Sequence, residues 1–247
     1  MKLIATLGLL ILTNIQIIFA QTANDWYKKG EIAYNARKYD EAIKLLDNAI
    51  NQKCQFMDKA YYFRGLAKQS IGKFDLAITD LTQAISLNPK DMGYYFARAN
   101  NYSIVTKFEE CIADYNKVIE NNGGNAKLYF SRGFAYVNLK DFSNALADFN
   151  RVIELDPKDK KSYNNRGMVL FKLGQYQESL TDFDKTLELD PKFVYAYFGK
   201  GQTLVALGLY EQALDCFTKG EAINSSITYY LDDKKKAQEA LNLNTPK

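Results

Sequence analysis

Three cysteines, Cys54, Cys111 and Cys216, and carboxylates such as Glu109, Glu110, Asp114 and Asp148 are the groups from which this chain would have to build covalent or acid–base chemistry. Its 247 residues include no histidine. That removes Ser-His-Asp and Cys-His nucleophile sites and most zinc sites at once. The cysteines stand more than fifty residues apart and match no metal or redox spacing, so they are expected as free thiols. No glycine-rich phosphate loop or converging acidic pair breaks the pattern of the chain. The sequence therefore predicts no catalytic residue, no cofactor and no metal site.

With 47% hydrophobic and 25% charged residues the chain has the balance of a folded protein. The formal charge is +3, too small to suggest a nucleic-acid surface. The first twenty residues stand apart. Met1-Lys2 is a short positive start, Leu3 to Phe19 is mostly apolar, and Phe19-Ala20-Gln21 offers a small residue for cleavage. That reads as a secretory signal peptide over residues 1–20, and hence an exported protein, periplasmic or secreted. The rival is an uncleaved membrane anchor, but Thr13, Asn14 and Gln16 interrupt the apolar run. No second hydrophobic stretch follows, so no spanning segment is expected in the mature chain.

The elements that position these residues are written in a repeat. A glycine or its stand-in recurs at Gly30, Gly65, Ala99, Gly133, Gly167 and Gly201, in steps of 35, 34, 34, 34 and 34 residues. Four residues before each lies an aromatic (Trp26, Tyr61, Tyr95, Tyr129, Tyr163, Tyr197), and nine after lies another (Tyr39, Phe74, Phe108, Phe142, Tyr176, Tyr210). A small residue follows at Ala42, Ala77, Cys111, Ala145, Ser179 and Ala213. Leu173-Gly174, Leu207-Gly208 and Lys140-Asp141 break units in the middle, and Pro89, Pro157 and Pro191 end three of them. Aromatic and small residues at spacings of three and four make a knob-and-gap stripe, so each unit is a hairpin of two helices of about a dozen residues.

One polar pattern runs inside the repeat. The residue before the glycine slot and a second sixteen positions later are Arg64/Asp80, Arg98/Asp114, Arg132/Asp148 and Arg166/Asp182, whereas the outer units have Lys29/Leu45 and Lys200/Cys216. Two geometries are open. Each arginine pairs within its own hairpin, or each aspartate pairs with the arginine of the next unit, as Asp80 with Arg98.

These residues resemble the tetratricopeptide repeat: Trp26-x-x-x-Gly30 with Ala42-x-x-x-Leu46, or Tyr129-x-x-x-Gly133-x-x-Tyr136 with Ala145-x-x-x-Phe149 and Pro157. The resemblance covers about residues 23–227. It implies an all-α solenoid of six helix-turn-helix repeats in a right-handed superhelix, with units at about 23–57, 58–91, 92–125, 126–159, 160–193 and 194–227. Residues 228–247 supply a capping helix and tail, since a solenoid otherwise leaves its last apolar face in water. The departures are local: Ala99 for glycine, Cys111 in a small-residue slot, and Asn121-Asn122-Gly123-Gly124 in place of a terminal Asp-Pro, a candidate hinge.

In proteins of this kind the first helix of each unit lines a groove through three positions, spaced i, i+4 and i+7 on one face. Here the first row is Tyr27, Tyr62, Phe96, Phe130, Asn164 and Phe198, and the second is Glu31, Leu66, Asn100, Phe134, Met168 and Gln202. The third row adds Val137 and Phe171. Phe130, Phe134, Val137, Met168 and Phe171 are expected to form an apolar patch, either binding a protein or peptide ligand or packing on itself. The lysine–asparagine clamp that some family members use is absent from Tyr27/Glu31, Tyr62/Leu66 and Phe96/Asn100. The resemblance implies an interaction scaffold rather than an enzyme; the alternative is a fixed subunit of an envelope, secretion or surface assembly.

Overall fold

The computed structural model describes residues 22–244, and its elements there are helices joined by turns. Residues 1–21, which include the segment 1–20 expected to be a signal peptide, and the last three residues lie outside the described residues. The chain divides into two compact units at Gly123 and Gly124, inside the Asn121–Gly124 segment.

In the first unit a helix over residues 22–35 (α1) is followed by α2 (Tyr39–Asn51), α3 (Met57–Ser70), α4 (Phe74–Leu87), α5 (Met92–Ile104) and α6 (Phe108–Asn122). The second unit holds α7 (Ala126–Asn138), α8 (Phe142–Leu155), α9 (Lys160–Lys172), α10 (Tyr176–Leu189), α11 (Val194–Ala206), α12 (Tyr210–Ile223) and α13 (Leu231–Asn244). Each recurrent aromatic nine residues past the glycine slot opens the second helix of a hairpin. Helix starts use side-chain caps where the sequence supplies them: Asp91, Asn125, Asp141 and Asp159 each accept a hydrogen bond from a backbone N–H in the first turn.

Every hairpin turn passes through one left-handed residue. These are Arg37, Gly72, Thr106, Lys140, Gly174 and Gly208, with φ between 60° and 77°. Glycine accepts this backbone without strain, whereas β-branched Thr106 crowds its own carbonyl there. The turn geometry thus persists where the residue type resists it, which means that packing of the two helices enforces it.

That packing centres on the glycine slot. Sixteen residues after each comes a bulky knob: Leu46, Leu81, Tyr115, Phe149, Phe183 and Phe217, none more than 1% exposed. A Cβ added at Gly30 would come within 2.6 Å of Leu46, and one at Gly201 within 2.4 Å of Phe217, so in those hairpins a bare Cα lets the helices close over the knob, whereas the third hairpin closes over Tyr115 with the single methyl of Ala99 in the slot. The small residues at Ala42, Ala77, Cys111, Ala145, Ser179 and Ala213 are wholly buried beside it. At Ser179 the hydroxyl donates to the Gly167 carbonyl at 2.8 Å, tying α10 to α9 at the closest approach.

The arginine and aspartate positions lie one residue before the glycine and one before the knob, and they pair within the hairpin. Arg64 donates to Asp80, Arg98 to Asp114, Arg132 to Asp148 and Arg166 to Asp182, in each case through Nε and Nη2 to both carboxylate oxygens at 2.6–2.9 Å. The aspartates are 2–5% exposed. The third guanidinium nitrogen reaches the preceding repeat, as Arg64 to Asp47, Arg98 to Thr82 and Arg166 to Asn150. Each of these three arginines therefore ties its own two helices together and also links to the hairpin before it. The recurrent tyrosine three residues earlier lies under the guanidinium, with Tyr61, Tyr95, Tyr129 and Tyr163 ring centres 5.2–5.8 Å away. For Arg132 the hydrogen bonds it donates to Asp148 outweigh burial and raise its pKa further, so the pair stays charged.

The last hairpin lacks this pair and is finished differently. Tyr230 stacks on Phe198 at 4.0 Å and on Phe217 at 5.2 Å, and its hydroxyl donates to Glu221 at 2.6 Å. Lys234 of α13 donates to both oxygens of the same carboxylate at 2.7 and 2.8 Å. Those bonds hold Glu221 below the ordinary carboxylate range, the lysine contributing most. The helix expected within residues 228–247 is α13, which starts at Leu231 and buries Ala237 against Phe198 and Phe217, and the turn before it adds Tyr229 and Tyr230.

Two stability experiments follow from these contacts. Asp148→Ala should cost about 3 kcal/mol in a denaturant melt because it strands a largely dry guanidinium, and combined with Arg132→Ala it should cost clearly less than the two singles added together. Strict additivity would count against the bidentate pair. Because the folded Glu221 carboxyl is depressed, its contribution is complete above its ordinary pKa of about 4.3 and is lost as pH falls through the lower folded value. Wild type should therefore exceed Glu221→Gln in stability by a constant margin at neutral pH, and that margin should begin to shrink as pH falls below about 4 and vanish only below the folded value.

Candidate functional site

A cavity of about 350 Å³ opens on the face of the second unit that is built by its first helices. Helix α7 contributes Phe130, and α9 contributes Lys161, Asn164, Asn165 and Met168. The start of α11 adds Phe193 and Tyr195, and the capping turn adds Tyr229. Four aromatic rings and a thioether therefore meet around one space, a composition suited to an apolar guest.

Each wall has a physical reason to be where it is. Phe130 packs edge-on against the knob Phe149 at 5.8 Å, so the register of the fourth hairpin fixes it. Helix α11 lies close to α9 because Gly199 has no side chain; an added Cβ would stand 2.5 Å from Phe183 and 3.2 Å from Met168 Sδ. Phe193 sits 6.3 Å from Tyr195 and lies under Lys160 Nζ at 6.0 Å. Lys160 in turn bonds Asp190 at 2.7 Å, and that bond, first among several, lowers the Asp190 carboxyl. Tyr229 stands edge-on to Phe198 at 5.9 Å and is half exposed; partial burial, reinforced by neighbouring Tyr195, pushes its phenol up to about 12. The phenol stays neutral at any physiological pH.

Asn164 is the polar exception. The residue is 8% exposed, and its Oδ1 is buried with no hydrogen-bond donor among the described residues. Such an orphaned acceptor costs about 1–3 kcal/mol. No Asp or Glu lines the cavity.

The groove residues expected from the sequence separate into groups. Phe130, Asn164 and Met168 come together in the cavity. Phe134 is 47% exposed on α7 but is not part of the cavity wall, Val137 packs with Phe130 against the Ala145, Phe149 and Val169 core, and the Phe171 ring lies 5.8 Å from Tyr176. The expected five-residue patch is thus divided between surface and core. Phe198 needs correction: it is fully buried under Tyr230 and so is core rather than groove. In the first unit Tyr62 packs on Phe63 and Tyr94, Phe96 packs on Tyr115, and Asn100 Oδ1 accepts from the Tyr115 hydroxyl at 2.7 Å, while Leu66 is half-buried. Those side chains are engaged by neighbours within their own unit.

The groups that chemistry would need are disposed structurally. Cys54, Cys111 and Cys216 are unbonded and buried, and burial pushes the Cys111 thiol up to about 12, which leaves no thiolate at neutral pH. Asp114 and Asp148 are committed to Arg98 and Arg132. Among the described residues no group of three or more His, Cys, Asp or Glu is placed to hold a metal ion, and no helix is long and apolar enough to cross a membrane.

Comparison with known proteins places this architecture. Models of the tetratricopeptide repeat match residues 58–91, 126–159, 161–193 and 183–215. A search of curated proteins gives no match. Among solved structures, a tetratricopeptide repeat protein from Parabacteroides merdae ATCC 43184 is 19% identical, with 92% of this chain and 95% of that one covered and a TM-score of 0.69. YrrB, described as a TPR protein with an unusual peptide-binding site, is 23% identical over 77% of this chain and 97% of its own, with a TM-score of 0.67. MamA from Desulfovibrio magneticus RS-1 is 16% identical over 70% and 97%, with a TM-score of 0.64. These likenesses are likenesses of fold. The repeat is a non-enzymatic interaction module, and this chain, with its glycine slots, knobs and hairpins in register, carries tetratricopeptide repeats over the matched residues.

Proposed function

We propose that this chain is an exported scaffold that captures a protein or peptide segment in the aromatic cavity of its second unit. The observation that carries the reading is the cavity itself, in which apolar walls on three first helices and a capping turn meet around one space with Asn164 among its lining. An apolar recess with one placed polar group is how a rigid helical surface selects an extended or helical segment. The peptide-binding site named for YrrB, a protein of like fold, supports the same reading. Export rests on the Lys2 start, the apolar run to Phe19 and the Ala20-Gln21 junction.

Capture is tested with a random peptide library displayed on phage. Peptides selected by the wild-type chain should bind Met168→Asp at least ten-fold more weakly with unchanged helicity by circular dichroism, and should bind Phe134→Asp nearly as well as wild type. Equal binding to Met168→Asp would refute the site, and obligate association of the purified chain would point instead to a fixed subunit of an assembly. Export is tested by mass spectrometry of the protein from its native cells. A chain beginning at Gln21 outside the cytoplasm is expected, and an unprocessed chain retained inside would overturn it.

A further inference from the structure

We propose that the aromatic cavity of the second unit holds an apolar side chain of an extended peptide segment that carries an acidic residue two positions away, with Lys161 pairing the carboxylate. The assignment rests on reading this face as a peptide site. Met168, Asn165 and Lys161 all line the cavity from α9. Their offsets of three and four residues place them on one face of that helix, and the seven residues from Met168 to Lys161 span about 10 Å of its axis. The cavity therefore runs from a thioether at one end of this face to an ammonium at the other.

Both polar groups on that face are open. Lys161 is exposed and Asn165 half-buried, and among the described residues no hydrogen bond or ion pair engages either side chain. Lys160 next to them is by contrast committed to Asp190 at 2.7 Å. Because no Asp or Glu lines the cavity, its rim is positive, and a cationic guest would meet Lys161 with nothing to offset it. A carboxylate accepts from the Lys161 ammonium and the Asn165 amide together. In an extended strand alternate side chains point the same way about 7 Å apart, a separation that the reach of a lysine side chain matches to the span along α9.

A second recess, of about 240 Å³, adjoins the first and shares Phe130 and Lys161 with it. Its own carboxylates, Asp156 and Asp159, accept from backbone N–H groups of Lys158, Lys161 and Ser162, and neither pairs with the Lys161 ammonium. A chain ending in its carboxylate at Lys161 would leave that recess empty, whereas an internal segment runs on through it. The occupant is therefore an internal segment with a side-chain carboxylate.

The probes are capped peptides Gly-X-Gly-Phe-Gly-X-Gly, with X as glutamate, glutamine or lysine, so that the charge stands two residues from the ring in either direction. A fourth, Gly-Gly-Gly-Phe with a free carboxyl end, offers a terminal carboxylate instead. Each is titrated into the full chain labelled with methyl-¹³C-methionine, in which ring currents from the bound phenylalanine shift the Met168 methyl signal. The glutamate peptide should move that signal and bind about five-fold more tightly than the glutamine peptide, with the lysine peptide weakest, and its advantage should shrink as salt is raised. Lys161→Gln should abolish the difference between glutamate and glutamine, and Lys172→Gln, on the same helix but outside the cavity wall, should preserve it. Equal binding of the glutamate and glutamine peptides by the wild type overturns the acidic assignment while leaving the face a peptide site. Tightest binding of the free-ended peptide overturns the internal segment and gives Lys161 to a chain terminus. If no probe moves the Met168 signal the assignment falls, and if library-selected peptides also leave it unmoved the peptide-site reading falls with it. The comparison among peptides needs no protein variant, so it stands whether or not Lys161→Gln folds well.

Discussion

Two helices can approach as closely as these do only where one of them has no side chain, or at Ala99 a single methyl, at the crossing. The glycine slot provides that gap and the knob sixteen residues later fills it, as at Gly133 with Phe149 or Gly167 with Phe183. The rest of the hairpin depends on that contact. Because the backbones are so near, an arginine one residue before the glycine spans to an aspartate one residue before the knob and bonds both its oxygens. At a wider separation the same residues would meet through water and be worth little. The conserved-looking spacing of charge in the sequence is therefore a by-product of the spacing of volume.

The outer hairpins show what replaces that lock. Lys200 stands where the inner repeats carry arginine, and it reaches back to Asp184 of the previous hairpin across a more exposed surface. Burial is completed by Tyr230, which lies on the rings of Phe198 and Phe217. The same short turn places Tyr229 at the cavity edge, so the element that ends the repeat stack also forms a wall of the candidate site. Stability of the last hairpin and the shape of the site are thus linked through two adjacent tyrosines.

Nearly all of the fold was legible in the sequence because a repeated unit states each rule several times. One Arg–Asp spacing means little, whereas four with matched absences at the ends mark a pair; the sequence left open whether it closes within a hairpin or to the next, and the structure closes it within. The site was legible only in part. Phe130, Asn164 and Met168 follow from the row rule, since those positions face outward from the first helix of any such hairpin. Phe193, Tyr195 and Tyr229 lie at a helix start and in the capping turn, outside every row, and no periodic signal reaches them. Phe198 fails for the complementary reason: the rule assumes that another first helix follows, and here a stacked tyrosine does instead.

The step between glycine slots is 34 residues everywhere except between the first and second, where it is 35. The additional residue does not disturb the first hairpin, in which Trp26, Gly30, Tyr39, Ala42 and Leu46 keep the offsets of all the others. It is accommodated after the knob, in the connection from α2 to α3, where Lys53 adopts a left-handed turn with φ of 53°. A residue gained inside a hairpin would rotate the knob away from its glycine and the aspartate away from its arginine together. Length changes in this chain are therefore confined by geometry to the connections between hairpins, and the natural quantum of growth or loss is one whole hairpin.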